Sequence, residues 1–421
     1  MKILIMATAN WQNIDESKNV QNKSFAEIID LYIGNTGNLM FTNGCKYISG
    51  LAENTYEFYD WYKMNDDSEK YKNEINETFD LVIYPLANIL QENAAFIKNV
   101  IALLKGIKIP IYCMGIGISC NSYENLKSLC NYIKEPLLEL ITIVDKSGGK
   151  FACRGYITKE VLERIWGSES NGKVFATGCP SMYQNGLLRI EKPAVAKEDL
   201  RVAVNGKVRD FHDGILRQAF EKYKATYICQ DEYCHVLYGE EIKGIEELIN
   251  TYSFYGVNLL SSKRVKLFYQ LPVWYQWVSD NVDFMFGSRI HGNLIALLAG
   301  KPAMVYLPPK RSDLRVQELA EFFAIPVMPE KTKKDLYEIY EETDYTAFNS
   351  NFEVKFNEFE KFLRDAGICS RLESEKNAEL NTKECQTKKE TIDYEKLKAS
   401  LQEIDRLHAC IYKLKDRICF Y

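Results

Sequence analysis

The sequence predicts an α/β protein built on two parallel sheets. Short apolar runs of strand length alternate with longer segments of helical period through the first 330 residues, and that alternation is the mark of βαβ units. At 421 residues the chain is too long for one ordinary core and about right for two domains with an appendage. Residues 189–200, a charged mixture around Pro193, offer a linker between two such sheets.

The elements follow in order. Strands are expected at 2–7, 81–84, 109–114, 151–153 and 173–176, then at 201–205, 227–230, 265–269, 284–286 and 303–306. Helices are expected at 92–104, 158–165 and 292–298. Domains are therefore placed at 1–190 and 191–345, both Rossmann-like, with a cleft at the carboxyl ends of their strands. Residues 346–391 hold a packed helix, with Phe348, Phe352, Phe356, Phe359 and Phe362 near helical spacing, and then a Lys/Glu/Asn/Thr-rich linker. From 392 to 421, Leu397, Leu401, Ile404, Leu407, Ile411, Leu414 and Ile418 recur at threes and fours as an amphipathic helix. Docking or homo-oligomerisation is one use for it. A membrane-surface contact through Lys413, Lys415 and Arg417 is the other.

Apolar residues make up 46% and charged residues 26%, the balance of a soluble globular chain. With 53 Lys and Arg against 58 Asp and Glu, the net charge of −5 gives no global pull toward nucleic acid. The twelve cysteines sit singly in apolar runs and form no CxxC pair, so reduced thiols are expected and no metal site. The first residues read as a strand, not a signal peptide, and no apolar run approaches the roughly 18 residues needed to span a bilayer. A cytoplasmic protein is expected.

Residues 283–302, Asp-Phe-Met-Phe-Gly-Ser-Arg-Ile-His-Gly-Asn-Leu-Ile-Ala-Leu-Leu-Ala-Gly-Lys-Pro, are the most informative stretch. They read as a buried strand, a Gly-Ser turn and a helix opening near Arg289 to Gly292. A helix start presents free N–H groups and the positive end of the dipole. Arg289 adds a guanidinium fork, and His291 adds a group that exchanges protons near neutral pH. This suits a phosphorylated, acidic ligand with acid–base chemistry attached. A structural Arg–His pair at a helix cap is the alternative. Downstream, Lys310, Arg311 and Arg315 follow another strand end, as a second anion-binding segment or as a solvated basic loop. In the first half, Asn35, Gly37 and Asn38 could bring backbone close to a ligand, though Asn and Gly also form ordinary turns. Gly115 and Gly117 follow a strand but lack the third glycine of a dinucleotide fingerprint. No Walker-type phosphate loop, HExxH or GxSxG is present.

Taken in order, these segments resemble the polysaccharide pyruvyl transferase family from the first strand to about residue 367. Gly287-Ser-Arg-Ile-His-Gly-Asn with Gly300-Lys-Pro302 is the most specific part. Asp313-Leu-Arg315-Val-Gln-Glu318-Leu, Arg154-Gly-Tyr-Ile-Thr158, Thr177-Gly-Cys-Pro-Ser181 and Met114-Gly-Ile-Gly117 are similar to further family pieces. Where the family often has Gly-Asn-x-Gly-Asp, this chain has Gly34-Asn-Thr-Gly-Asn38, without the carboxylate.

The resemblance implies a GT-B-like arrangement, with the acceptor side in the first domain and the donor side in the second. It also implies pyruvyl transfer from phosphoenolpyruvate, as co-substrate, onto a sugar diol of a surface-polysaccharide precursor, forming a ketal and releasing phosphate. His291 and Arg289 are then the expected catalytic pair, with Ser288, Gly292, Asn293, Lys310 and Arg315 on the donor side. Asn35, Gly37, Asn38, Gly115, Gly117 and Arg154 fall on the acceptor side or the cleft wall. No cofactor and no metal are expected, and a lipid-linked acceptor would give the tail a purpose at the inner face of the membrane. The alternative activity is a GT-B glycosyltransferase using a nucleotide sugar.

Overall fold

The computed structural model describes residues 1–7, 35–120, 122–211, 214–233, 256–308, 313–329, 332–369, 372, 395, 398–403 and 406. Lys310, Arg311, His212 and most of the expected tail helix lie outside these residues.

Six strands form the first sheet: β1 (Lys2–Ile5), β2 (Thr55–Phe58), β3 (Leu81–Pro85), β4 (Ile111–Ile116), β5 (Lys150–Cys153) and β6 (Val174–Ala176). Five form the second: β7 (Val202–Asn205), β8 (Thr226–Ile228), β9 (Val265–Lys266), β10 (Phe284–Gly287) and β11 (Ala303–Val305). Every pairing is parallel. The sequence explains why: β3, β4, β7 and β10 are buried at every position, as strands covered on both faces must be. The edge strand β2, alternating exposed and half-buried, has no such apolar run.

Helices connect the strands of the first sheet: α1 (Gly37–Ser49), α2 (Trp61–Asp66), α3 (Ser68–Thr78), α4 (Ala94–Leu104), α5 (Tyr123–Lys146) and α6 (Tyr156–Trp166). Then come α7 (Gly214–Lys222), α8 (Leu271–Asn281), α9 (Ile290–Leu298), α10 (Leu314–Phe323), α11 (Leu336–Glu342) and α12 (Thr346–Asp365). Their starts follow local chemistry. Asn93 caps α4 by accepting from Phe96 N, Ser122 caps α5 from Asn125 N, and Asp335 closes a capping box with Glu338. Among the described residues no helix is long and apolar enough to cross a membrane.

The strand orders locate the crevices. The first sheet runs β2-β1-β3-β4-β5-β6 and the second β11-β10-β7-β8-β9. The order in which strands are added reverses between β1 and β3 in one sheet and between β7 and β10 in the other, and ligands in such sheets bind beyond the strand ends at those reversals.

Residues 189–200 carry the chain from β6 to β7, from one sheet to the other. The return is less simple. After β11 the chain comes back to the first sheet: Phe362 of α12 packs on Tyr112 and Phe175, and Phe359 stacks on Tyr183 at 4.0 Å. α10, which the sequence assigns to the second domain, is anchored to α6 by Glu318, whose carboxylate accepts from Thr158 N and Oγ1 at 2.6 and 2.7 Å. One apolar core accordingly runs from the inner face of the first sheet through α1 and α12 into the second.

Candidate active site

A cavity of about 400 Å³ lies where the carboxyl ends of the two sheets meet. Ala87 and Asn88 reach it from beyond β3, and Ser288 to His291 from beyond β10. Both reversal points of the topology therefore open into one cleft.

The β10–α9 turn is built around a side chain the sequence reading did not single out. Asn205, at the end of β7 and fully buried, accepts from Arg289 N at 2.9 Å and donates to Asn293 Oδ1 at 2.8 Å. Asn293 in turn donates to Gly287 O at 2.9 Å. The glycines are there because Asn205 is: a Cβ on Gly292 would sit 2.6 Å from Asn205 Cγ, and one on Gly287 would meet the Asn205 carbonyl. Gly292 and Asn293 thus hold the turn from behind, while Ser288 lines the cleft and donates to Asp210 Oδ2 at 2.6 Å. Gly292→Ala forces backbone or Asn205 to shift and should cost about 1–3 kcal/mol of stability in urea unfolding.

His291 stands in the first turn of α9, facing α1 of the first sheet. Its Nε2 is 3.9 Å from the buried Cys179 thiol, and a Cβ on Gly37 would come within 3.1 Å of its Nδ1. Gly37 is thus the residue that lets the two halves of the cleft close around the imidazole. Burial pushes His291 well below the usual histidine range, and the charges of Arg154 and Arg315 push it further down. The ring is neutral at pH 7. An unfolded histidine binds a proton near pH 6.5, so stability should be lost as pH falls below that value. In His291→Gln this component disappears, and the two pH–stability curves should diverge by about 1.4 kcal/mol per pH unit below 6.5.

The two arginines reach the cleft from different places. Arg154, 1% exposed at the end of β5, donates from Nε to Gly115 O at 3.0 Å, with its guanidinium 5.4 Å from the Phe41 ring. Gly115 adopts a left-handed φ of 64°, and a Cβ there would strike Phe41. Gly117 leaves room for both arginines, since its Cβ would stand 3.0 Å from Arg154 Cδ and 3.2 Å from Arg315 Cγ. Arg315 bonds Asn88 through Nη1 and Asp313 through Nη2 at 2.7 Å, leaving its buried Nε without a partner.

Arg289 also lines the cleft, but its Nη2 is engaged by Asp231 and, at 3.1 Å, by Glu232. Burial, followed by a hydrogen bond with Asp231, pushes the Glu232 carboxyl up to about 8. Burial works to raise Asp231 as well, yet Glu232 and Arg289 hold it below the ordinary range. The pair therefore shares a proton while neutralising Arg289. Asn35 and Asn38 line the opposite wall, and Asn35 Oδ1 accepts from Gly37 N at 2.8 Å.

Further cleft-side groups escaped the sequence reading: Asn88 beyond β3, Gln230 and Asp231–Glu232 beyond β8, and Lys207, Arg209 and Asp210 beyond β7. The available signal was their position, since polar residues directly after a strand of a doubly wound sheet face the crevice. Among the described residues no group of three His, Cys, Asp or Glu could hold a metal ion.

Solved structures similar to this chain include an uncharacterized protein of Klebsiella pneumoniae subsp. pneumoniae, at 16% identity and a TM-score of 0.38, covering 79% of this chain and 92% of that one. A protein of Listeria monocytogenes described as a UDP-N-acetylglucosamine 2-epimerase shows 10% identity, also at 0.38, covering 84% and 90%. Likenesses at this level carry no functional argument. No curated protein matches the chain. The sequence model of the family described as polysaccharide pyruvyl transferase, by contrast, matches residues 35–308. That span takes in α1, both reversal-point loops, Arg154 and the entire β10–α9 turn with His291, and the chain belongs to the polysaccharide pyruvyl transferase family.

Proposed function

We propose that the cleft transfers a pyruvyl group from phosphoenolpyruvate to two hydroxyls of a sugar, with the two sheets opposed in a GT-B-like manner and the donor bound at His291. The observation that carries this reading is the group formed by a neutral imidazole and two cations, Arg154 and Arg315, at a point where both sheets end. Phosphoenolpyruvate presents a carboxylate and a phosphate on adjacent atoms. The two guanidinium groups, with the unpartnered Nε of Arg315, suit that compact anion.

The chemistry follows from the charge balance. Arg154 and Arg315 depress His291 only while they are uncompensated, so a bound trianion raises the imidazole pKa and His291 takes up a proton. That proton passes to C3 of the enol, leaving C2 electrophilic. One sugar hydroxyl adds to C2 and its proton returns to His291, the C2–O bond to phosphate breaks, and the second hydroxyl closes the ketal while its proton leaves on the departing phosphate. The products are the cyclic ketal and inorganic phosphate. Arg289, held by Asp231 and Glu232, sits at the edge of this group and steadies the turn that carries His291.

The test uses the scarcity of histidine, of which there are four. In an NMR pH titration of the full chain, one imidazole should titrate well below the others and rise by about one unit or more when phosphoenolpyruvate saturates the protein. The same ligand should raise the melting temperature. An imidazole that does not move with phosphoenolpyruvate, together with no thermal response, would overturn the donor assignment.

A further inference from the structure

Where the two halves close on His291, a polar group remains that the transfer chemistry leaves unused. A Cβ on Gly37 would stand 2.6 Å from Gln230 Oε1, 3.0 Å from Asn35 Oδ1 and 3.1 Å from His291 Nδ1, so three polar side chains from three segments converge on one gap. Asn35 Oδ1 is occupied by Gly37 N. Gln230 is 2% exposed and lines the cleft, and its Nε2 has no partner among the described residues. Its backbone is fixed, because the Gln230 carbonyl accepts from Thr36 N at 2.9 Å and ties the end of β8 to the start of α1. A buried amide donor left unsatisfied destabilises a fold, and an apolar side chain of the same shape would not. Such a donor beside the imidazole calls for a ligand oxygen.

The surroundings select which oxygen. Arg154 follows β5, and Arg315 is bonded to Asn88 beyond β3, so both cations are held from the first-sheet side. Gln230 reaches His291 from β8 of the second sheet. Phosphoenolpyruvate carries its phosphate ester oxygen, its carboxylate and C3 on one atom, C2. With the more highly charged phosphate on the guanidinium groups and C3 against the imidazole, the carboxylate is the group left to meet the amide. A neutral donor also suits this place. A third cation here would hold the imidazole proton-free even in the complex, whereas an amide binds the carboxylate without adding charge.

Resting on the pyruvyl-transfer reading, we propose that Gln230 is a donor-binding residue, whose Nε2 donates to the carboxylate of phosphoenolpyruvate and so turns C3 toward His291.

Gln230→Leu removes the amide and nearly keeps the volume. In calorimetry of the full chain its affinity for phosphoenolpyruvate should fall about tenfold or more, the loss of one charge-assisted hydrogen bond. Vinyl phosphate, the same enol phosphate without the carboxylate, should bind variant and wild type alike, read by its displacement of phosphoenolpyruvate. The melting temperature of the free variant should hold or rise, because an unsatisfied donor has gone, whereas a merely structural Gln230 predicts a fall. Should the Leu variant not fold, Gln230→Glu keeps the shape and sets one carboxylate against another. Its affinity should then drop far more for phosphoenolpyruvate than for vinyl phosphate. Equal losses for the two ligands, or no loss for either, overturn the proposal and assign the amide to the phosphate or to the sugar. Failure of phosphoenolpyruvate to bind the wild-type chain is a different result: it sinks the donor reading, and this proposal with it.

Discussion

Replacing His291 by Asn should lower kcat about 10²–10⁴-fold while leaving the fold and most of the donor affinity in place. Asn fits a position already neutral in the free protein, and it keeps a polar group beside Gly37 and the Cys179 thiol, so the structural disturbance is small. What it cannot do is take up a proton when the donor's charge arrives. The separation matters because the same residue could be a mere packing element of the α9 start. A packing role predicts a lower melting temperature with a near-normal kcat. A proton-carrying role predicts the reverse, together with loss of the alkaline limb of the kcat–pH profile that the raised imidazole pKa produces in the complex. Near-normal turnover with an unchanged profile would remove His291 from the reaction.

How much of this was written in the sequence depends on how local each feature is. The strands were legible because parallel strands covered on both faces must be apolar throughout, as β3 and β10 are. β2 was not, because it lies at a sheet edge and its Thr-Tyr-Glu-Phe alternates between exposed and half-buried. The β10–α9 turn was legible as a motif, yet its reason was not: Gly287, Gly292 and Asn293 answer to Asn205, eighty-odd residues earlier, which only the strand order brings beside them. The same applies to charge. Arg289 reads in sequence as a free anion-binding fork, but Asp231 and Glu232 arrive from beyond β8, two strands away in the sheet, and engage its Nη2, while its buried Nε keeps no partner among the described residues. Conversely Arg154, which the sequence places on the acceptor side or the cleft wall, is one of the two charges that set the state of His291. The return of α10 and α12 to the first sheet is likewise invisible to periodicity, which reveals an apolar face but not what covers it.

Arg154 yields the second large expectation, because it is asked to do two separable things. Its guanidinium should supply a charge-assisted bond to the donor, contributing roughly 1.5–3 kcal/mol, so Arg154→Met should weaken phosphoenolpyruvate binding about 10- to 100-fold in calorimetry. It also helps hold His291 neutral, so the same variant should raise the imidazole pKa of the free protein, seen by NMR. Burial, the larger cause, remains, and so does Arg315, which means the rise is partial. Arg154→Lys separates the two effects. An ammonium keeps the positive charge and therefore the depressed imidazole, but it cannot reproduce the planar fork or the Nε bond to Gly115 O. Donor affinity should stay low in Lys while the histidine pKa returns to its native range. Should Arg154→Met raise the imidazole pKa yet bind phosphoenolpyruvate at full strength, Arg154 would be a distant tuner of His291, and the donor's charges would have to be met by Arg315 and by residues beyond β11.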